Sequence, residues 1–439
     1  MNEQNTPQGR VIITSGRSLM ALAAAQSLGK RGVEVIGSDC IEPHLLSFSK
    51  YVEKNETYRS FNENEEQFIT DMVAIIERNR PEDDRPYLLM PVFDETHIIA
   101  RHKQQLPDFI QVATPSAETM DRVYPKKNLS YTAHKLGVQI PETHLVNSRE
   151  ELDDLKEKIE FPVLIKPENA SGGRGIKKAT SQQELLDGYE KTREKFGASQ
   201  LIQQFVPGED YCMTTLFQKG ALKASMAYKN LRRFPTTSGS GVLRETVDDN
   251  FFKPATKQLM EPINWHGIAQ LDFLWDENPE HPPYLIEVNP RFFGGLFQAM
   301  ASGIDYPWLN YLLHTTGQLP EDLQPQLGTK TKVPFAWLLG IIDENMKISD
   351  RFDLLTKAGK VAFDQIKEKG MREAFRNFAT EWEKAGKKPE EASLSNALEE
   401  ARMAQSEVFT SDDPFAGLGF LYALSYLVKY RKLPPEMDF

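Results

Sequence analysis

Cysteine is scarce in this chain of 439 residues. It has two, Cys40 and Cys212, and they form neither a Cys-x-x-Cys pair nor part of a Cys/His cluster. Domains that depend on disulfides or structural zinc need closely spaced sets of such residues. We therefore expect neither a disulfide framework nor a structural zinc site, and a reducing compartment fits the cysteine content.

Long apolar runs are also missing. No stretch reaches the ~20 apolar residues that a membrane-spanning helix needs. The start of the chain, from Met1 to Arg10, is polar and lacks the hydrophobic segment of a signal peptide. We therefore expect a cytoplasmic protein with no stable insertion into a membrane.

The chain has no excess of positive charge. It carries 52 basic and 63 acidic residues, for a net charge of −11. This balance argues against nucleic acid or an anionic membrane as the main partner. A hydrophobic content of 40% still allows large cores, and the length predicts several domains or one multi-lobed enzyme.

The common glycine signatures of nucleotide sites are absent too. No P-loop GK[ST] occurs, and no G-x-G-x-x-G follows the first predicted strand, where Gly16 stands without spaced partners. Asp39 is the only candidate for a ribose contact there. A dinucleotide-dependent oxidoreductase therefore has weak support.

The chain opens with a βαβ pattern. Residues 10–15 predict a buried strand, Gly16 to Gly32 a helix rich in Ala and Leu, and Val33 to Ser38 a second strand. This pattern predicts a parallel α/β domain. After Pro115 the pattern changes to further strands and helices, and from about residue 320 it favours helices, which we place at 351–385, 389–405 and 414–430.

The most informative segment is the strand that ends at Arg291. Glu287, Asn289 and Arg291 stand at every second position, so alternation points their side chains to one face. Carboxylate and amide oxygens suit Mg²⁺, and the guanidinium suits phosphate or carboxylate. A surface strand with alternating polar residues is the alternative, but Pro290 and the glycines that follow end the strand where α/β sites tend to lie.

A second carboxylate is predicted beside this strand. Asp272 lies in the apolar segment 268–275, where an acid is costly unless a cation or hydrogen bond compensates it. A hairpin across the loop 276–283 would pair the two strands and place Asp272 near Glu287. Two neighbouring carboxylates could hold one or two Mg²⁺ on nucleotide phosphates, whereas a solvated acid on an edge strand is the alternative.

Lys166 and the glycines after it form a candidate phosphate site. Lys166 ends a predicted strand and precedes Ser171-Gly172-Gly173-Arg174-Gly175. Glycines without Cβ atoms let backbone N–H groups close on a polyphosphate. A simple turn is the commoner meaning of such a loop, but the lysine before it and the acidic strand after it favour the functional interpretation.

Two more segments complete the set of candidates. Residues 200–206, followed by Glu209 and Asp210, could read an adenine edge through the backbone and accept bonds from ribose hydroxyls, with a plain β-turn as the alternative. The polar stretch 231–249 carries Arg232 and Arg244. We interpret it as a flexible loop that either closes over an anionic substrate or is simply exposed.

Together these residues resemble the ATP-grasp superfamily over about residues 11 to 318. The resemblance implies a pre-ATP-grasp α/β domain at 1–115 and an ATP-grasp core at 116–327. In that core a small lobe spans about 142–206 and a large lobe about 207–327. A helical C-terminal extension at 328–439 departs from minimal members. The fold class is thus α/β plus α+β.

The resemblance also assigns residue roles. Lys126 resembles the first nucleotide lysine, with Lys127 as the alternative, and Lys166 the second. The other implied nucleotide contacts are Ser171, Gly172, Gly173 and Gly175, the hinge residues Gln203, Gln204, Phe205 and Val206, and Glu209 or Asp210. The hinge has Gln-Gln where the family often has Glu. The implied metal ligands are Asp272, Glu287 and Asn289, and the implied phosphoryl-stabilising residue is Arg291, with Arg232 and Arg244 as further catalytic candidates.

The implied activity is that of a carboxylate–amine ligase. ATP with Mg²⁺, or Mn²⁺ as an alternative, would activate a small-molecule carboxylate as an acyl phosphate that an amine then attacks, releasing ADP and phosphate. The alternatives are an enzyme that activates bicarbonate, as biotin carboxylase and carbamoyl-phosphate synthetase do, and a nucleotide-binding regulatory module without chemistry. For the apolar stretch Phe415 to Val428 we expect a packed helix, with a homodimer surface or a weak membrane contact as alternatives.

Overall fold

A computed structural model gives the fold. It describes residues 9–168, 175–197, 199–234, 239–333, 336–337, 403–408 and 410–419. The predicted helix at 351–385 and most of those at 389–405 and 414–430 lie outside these residues, and Gln405, the last residue of the second, lies in a strand. Among the helices that the structure describes, none is long and apolar enough to cross a membrane.

The N-terminal region is a parallel sheet with helices, as the βαβ pattern predicts. Its strands have the order β3-β2-β1-β4-β5, and every neighbouring pair is parallel. The elements are β1 (Arg10–Ile13), α1 (Leu19–Gly29), β2 (Glu34–Asp39), β3 (Val52–Thr57), α2 (Glu65–Arg78), β4 (Tyr87–Met90), α3 (Glu95–Arg101) and β5 (Gln111–Val112). The pattern did not reveal β3, which alternates weakly because most of its side chains are exposed or half-buried.

Helix α1 shows why this region folds as predicted. Its first backbone N–H groups need an acceptor, and the Ser18 side chain accepts from the Ala21 N–H. Alanines and leucines bury the helix almost all round. The helix therefore packs between the sheet and the later helix at Tyr306–Thr315, and its residues belong to the same hydrophobic core as Phe292, Phe293 and Tyr306.

A smaller antiparallel sheet follows, with the order β6-β9-β7-β8. Its core is a compact cluster of Val, Leu and Ile side chains around Tyr189. The elements of this part are α4 (Ala117–Met120), α5 (Lys126–Leu136), β6 (Thr143–Val146), α6 (Arg149–Leu155), β7 (Val163–Pro167), β8 (Lys177–Ala179), α7 (Gln182–Phe196) and β9 (Gln200–Gln204).

The third sheet is the largest, with the order β14-β13-β10-β11-β12-β15-β16. It is antiparallel except for the last pair. The elements are β10 (Glu209–Gln218), β11 (Ala221–Phe234), β12 (Ser240–Val247), α8 (Lys253–Met260), β13 (Gly267–Trp275), β14 (Tyr284–Asn289), α9 (Leu296–Ala301), α10 (Tyr306–Thr315), β15 (Lys330–Lys332) and β16 (Gln405–Ser406).

Two features of the large sheet differ from the predictions. Much of the stretch 231–249 is strand and not the predicted loop, because residues 231–234 belong to β11 and residues 240–247 belong to β12, while residues 235–238 lie outside the described residues. The sheet also includes β15 and β16, which come from beyond residue 327. The predicted domain limits stay a prediction, but the sheet itself takes strands from both sides of that limit.

Candidate active site

The predicted hairpin of β13 and β14 is confirmed, and it brings the acidic residues together. Asp272 lies directly opposite Glu287, and Gln270 lies opposite Asn289. On the other side of Asp272, Cys212 of β10 is its direct partner. Since directly opposed residues share a face of an antiparallel pair, these side chains form one polar row across the sheet.

Asp272 is the electrostatic centre of this row. Gln270 donates an amide N–H to its Oδ1, and Asn289 donates to its Oδ2 over 3.2 Å. Among the described residues no cationic side chain forms an ion pair with it. Burial, together with the nearby negative charges of Asp210 and Glu287, raises the pKa of Asp272 to about 7. A carboxyl group in this state favours whatever brings positive charge to it.

The donor set fits a hard divalent cation. Two carboxylates, Asp272 and Glu287, face each other, and the Asn289 amide N–H points to Asp272, which leaves its oxygen as a further hard donor. Within the part of the chain that the structure describes, no group of three or more His, Cys, Asp or Glu side chains could hold a metal ion. A metal here would therefore depend on the Asn289 oxygen, on water or on substrate phosphates.

The two adjacent lysines at the start of α5 point to different places. Lys126 lies with its Nζ 3.2 Å from Glu287 Oε1, and its side chain is 17% exposed. Lys127 lies with its Nζ 2.7 Å from Glu168 Oε1, at the edge of the undescribed segment 169–174. The helix thus brings Lys126, and not Lys127, to the acidic row.

Lys166 is buried in β7, opposite the acidic row. Its Nζ donates to Gln203 Oε1 over 2.5 Å, and Gln203 Nε2 donates to Thr143 Oγ1 over 2.8 Å. Burial lowers the pKa of Lys166 to about 8, with a further contribution from the positive charge of Lys126. This places Gln203, where the family often has Glu, in a bond to the lysine. An ammonium that is short of negative charge is suited to bind phosphate oxygens.

The predicted hinge leaves the small sheet between two cavities. Phe205 donates its backbone N–H to Pro162 O over 3.1 Å, and its ring accepts the Lys178 ammonium at 3.5 Å. A narrow cavity of only 10 Å³ lies among Lys126, Lys166 and Gln203. A second cavity, of 320 Å³, is lined by hinge residues from Gln204 to Pro207 and by Leu274, Trp275 and Tyr284 of the large sheet.

Both acidic residues after the hinge, Asp210 and Glu209, lie close to basic side chains. Asp210 is paired with Arg233 and accepts from Asn230 Nδ2 over 2.5 Å. Glu209 is exposed and lies 3.5 Å from Lys229 Nζ. The contact of either acid with a ribose stays a prediction.

Arg291 lies at the junction with the N-terminal sheet. Its Nε donates to Asp94 Oδ1 over 3.1 Å, and its guanidinium stacks on the Phe93 ring at 4.5 Å from the centroid. Both partners follow β4 of the parallel sheet. The arginine is therefore held by the loop after β4. The chain connections from the neighbouring strands β1 and β4 run in opposite directions along the sheet, and this reversal point is the usual ligand position in open α/β sheets.

The two remaining arginine candidates belong to strands. Arg232 lies in β11, and Arg244 lies in β12 with its side chain only 4% exposed. Arg244 is paired with Glu407 and lies in a strand, so its predicted location in a flexible loop is wrong, while its catalytic role stays a prediction. Burial would lower the pKa of Arg244, but Glu407 outweighs burial and raises it.

Some predicted residues cannot be placed, and some neighbours were not predicted. Ser171, Gly172 and Gly173 lie outside the described residues, and Gly175 follows them with a positive φ of 77°. Gln270 was missed, as was the contact of Asp94 with Arg291, although residues 93–95 were a plausible specificity surface. Gln270 could have been found because it stands two residues before Asp272 on the same strand face, whereas the contact of Asp94 with Arg291 spans 197 residues and leaves no sequence pattern.

A family model matches the part of the chain that carries these residues. The ATP-grasp domain model matches residues 126–295. Among curated proteins, the large chain of carbamoyl phosphate synthase from a Thermoanaerobacter species is 22% identical over 218 residues, which are 48% of this chain and 20% of that protein. Biotin carboxylase 1 of Bacillus subtilis is 26% identical over 195 residues, which are 40% of this chain and 42% of that protein. This chain thus spans less than half of either relative.

Solved structures share the fold over a longer stretch. A biotin carboxylase from Campylobacter jejuni superimposes with a TM-score of 0.59 at 17% identity, over 73% of this chain and 74% of that chain. An L-amino acid ligase from Bacillus licheniformis gives a TM-score of 0.57 at 15% identity, over 75% and 80% of the two chains. Residues 126–295 thus match the ATP-grasp domain model, and the chain shares its fold with a biotin carboxylase and an L-amino acid ligase.

Proposed function

We propose that this protein is an ATP- and Mg²⁺-dependent carboxylate–amine ligase. The observation that carries the proposal is the meeting of Asp272, Glu287 and Lys126 on one face, with Lys166 opposite and Arg291 at the end of the same strand. These are the charges that phosphoryl transfer from ATP needs: oxygen ligands for a cation and fixed positive groups for phosphate oxygens.

Two lysines would bind the nucleotide's phosphates. Lys166 is buried, and among the described residues its ammonium donates to the neutral Gln203 amide, so it would gain strongly from a phosphate. Lys126 is already close to Glu287 and would bridge that carboxylate and a phosphate oxygen. When bound, Mg²⁺ would supply charge neutralisation on the phosphates, and Asp272, Glu287 and Asn289 are the residues that would hold it.

Activation would require the substrate carboxylate to attack the γ-phosphorus of ATP. One carboxylate oxygen forms the new P–O bond, the bond from the γ-phosphorus to the β,γ-bridging oxygen breaks, and ADP leaves with that electron pair. Arg291 lies where it can orient the carboxylate or neutralise the transferred phosphoryl group, because Asp94 and Phe93 fix its guanidinium.

An amine would then complete the reaction. Its nitrogen attacks the acyl carbon, phosphate leaves with the C–O electron pair, and the amine gives up a proton to solvent or phosphate. Phe93 and Asp94 contact Arg291, and Tyr124 lies near the charges of Asp94 and Arg291, so these side chains would contact a substrate held there. Aromatic and acidic groups there suit a substrate with an apolar part and an ammonium, such as an amino acid.

The direct test is phosphate release from Mg²⁺-ATP in the presence of pooled amino acids and other carboxylates, with mass spectrometry of the products. The proposal expects phosphate only when both a carboxylate and an amine are present, and a product whose mass is their sum less one water. Matched pools that omit the amine serve as the control. Nucleotide binding without turnover in any pool would count against the ligase and favour a binding module.

A second candidate is an enzyme that activates bicarbonate. It is supported by the curated proteins that this chain resembles, which include carbamoyl phosphate synthases and a biotin carboxylase. Labelled bicarbonate separates the two candidates, because carbon from bicarbonate would enter the product only in the second one.

A further inference from the structure

A buried ion pair joins the large sheet to the C-terminal region. Arg244 of β12 and Glu407 have side chains that are 4% and 1% exposed, and the two residues are 163 positions apart. Burying both charges is costly, and removing one partner leaves the other buried without compensation. A pair of this kind needs a reason to be kept in place of apolar side chains.

Glu407 belongs to a segment that we name the strap, residues 403–408 and 410–419. The strap adds β16 to the edge strand β15, with Thr331 opposite Gln405. Glu407 donates its backbone N–H to Lys332 O over 3.1 Å. Its side chain accepts from Thr331 Oγ1 over 3.0 Å as well as from Arg244. The carboxylate is therefore fixed at both its backbone and its side chain.

Arg244 extends from this pair toward the candidate active site. A Cβ atom added at Gly294 would lie 3.7 Å from Arg244 Nη2, and one added at Gly295 would lie only 2.4 Å from the Tyr228 ring. The Arg244 guanidinium in turn stands 6.0 Å from the centroid of that ring. The Arg244 and Tyr228 side chains thus pack against the turn that directly follows Arg291.

Tyr228 also connects to the acidic row. The Tyr228 hydroxyl donates to Gln270 Oε1 over 3.2 Å, and the Gln270 amide donates to Asp272. A continuous set of contacts therefore runs from Glu407 through Arg244, Tyr228 and Gln270 to Asp272.

At its other end the strap is anchored to helix α1 and to the segment before β3 in the N-terminal region. Asp413 is 1% exposed and accepts from Gln26, Ser49 and the Lys50 backbone N–H. Asp412 pairs with Lys30 and Lys50. The strap thus ties the sheet that holds the acidic row to the N-terminal region whose β4 loop holds Arg291.

We propose that Glu407 is a positioning residue: it neutralises and orients Arg244, and Arg244 supports the Arg291 turn and the Tyr228–Gln270–Asp272 contacts. The part of the strap that carries Glu407 then supports the active site. The link from Asp272 to Mg²⁺-ATP in this inference rests on the proposed function.

The test uses the full chain and three variants: Glu407→Gln, the double variant Arg244→Met with Glu407→Gln, and Asp413→Asn as a control at the other end of the strap. Thermal unfolding reports the fold. Calorimetric titration of ATP at a series of Mg²⁺ concentrations reports the half-saturating Mg²⁺ concentration, and phosphate release reports turnover separately.

We expect Glu407→Gln to lower the melting temperature and to raise the half-saturating Mg²⁺ concentration at least tenfold. The double variant removes the unpaired buried charge, so its melting temperature should return toward the wild-type value while its Mg²⁺ requirement stays raised. Asp413→Asn should lower stability and leave the Mg²⁺ requirement within twofold of wild type.

Two outcomes would overturn the inference. A double variant with a wild-type Mg²⁺ requirement would make the pair purely structural. An equal rise in the Mg²⁺ requirement of Asp413→Asn would assign the effect to strap docking in general. If wild-type protein binds Mg²⁺-ATP but catalyses no ligation, the proposed function fails, whereas the binding titration still decides the role of Glu407.

Discussion

Two groups of acidic residues in this molecule differ in how their charge is compensated. In the N-terminal sheet, Asp39 is paired with Arg17, and Glu56 is paired with Arg78 and Lys54. In the large sheet, Asp272 accepts hydrogen bonds from two neutral amides, and burial and other carboxylates raise its pKa. The first arrangement is complete without a ligand, whereas the second favours the arrival of a cation.

Cavity size alone would favour the compensated group as the functional site. The larger cavity, of 680 Å³, lies over the compensated group and is lined by Arg17, Cys40 and Arg78, whereas the cavity between Lys126 and Lys166 measures 10 Å³. Charge balance is the better guide here, because open space alone implies no ligand while an uncompensated buried carboxylate is expensive. Asp39, the predicted candidate for a ribose contact, is fully buried and held by Arg17, which weakens the dinucleotide alternative.

The largest expected effect comes from the uncompensated group. Glu287→Gln should reduce phosphate release by about 10³-fold or more, because it removes a charge that both a cation and Lys126 need. Its melting temperature should stay within a few degrees of wild type. Initial rates of phosphate release and a thermal melt check this, and a variant with wild-type turnover would remove Glu287 from the site.

The next largest effect is expected from Lys166→Ala, which should lower turnover about 10²-fold and weaken nucleotide binding. Its pKa of about 8 adds a pH dependence. Phosphate favours the charged ammonium, so nucleotide affinity should be constant below pH 8 and should fall as the pH rises above it. Titrations of ATP from pH 7 to 9.5 check this, with Lys166→Arg as the control whose affinity should not fall.

The matched change in the compensated group should affect stability alone. Glu56→Gln should lower the free energy of unfolding by about 1–3 kcal/mol, because it breaks charged hydrogen bonds from Arg78 and Lys54, and turnover should be unchanged. Urea unfolding and phosphate release measured on the same preparation test both halves. Lost turnover in a folded Glu56→Gln protein would erase the contrast between the two groups.

The dependence of stability on acidic pH should report the same ion pairs of Glu56. Burial alone would raise the pKa of Glu56, but bonds from Arg78, Lys54 and Asn79 outweigh it and lower the pKa to about 2. The stabilisation is therefore present above pH 4.5 and is lost as the pH falls toward 2. The stability difference between wild type and Glu56→Gln should shrink over that interval in urea titrations, and a constant difference would contradict this account.

The smallest expected effect is an increase in thermal stability. Asp272→Asn should raise the melting temperature of the metal-free protein by a few degrees at pH 8, because it removes a buried carboxylate whose raised pKa makes its charged form unfavourable. Scanning calorimetry in chelator checks this. A melting temperature below that of wild type would mean that Asp272 is already compensated.

The local parts of this account could be predicted from sequence, and the distant parts could not. Alternation along β14 and a short connection to β13 predicted the facing of Asp272 and Glu287, because strand period and hairpin register are local properties. The β11–β12 hairpin was misread as a loop because its arginines and the Gly- and Ser-rich turn obscure the strand pattern. The pairs of Arg244 with Glu407 and of Arg291 with Asp94 join distant segments, and no local pattern encodes them.

The most direct test of the central claim is a calorimetric titration of ATP into the wild-type protein and into Asp272→Asn, each with Mg²⁺ and with chelator. If Asp272 and Glu287 hold a cation on the nucleotide's phosphates, Mg²⁺ should tighten ATP binding to the wild type at least tenfold and should have little effect on the variant. Equal tightening in both proteins would show that the cation binds elsewhere and would contradict the account.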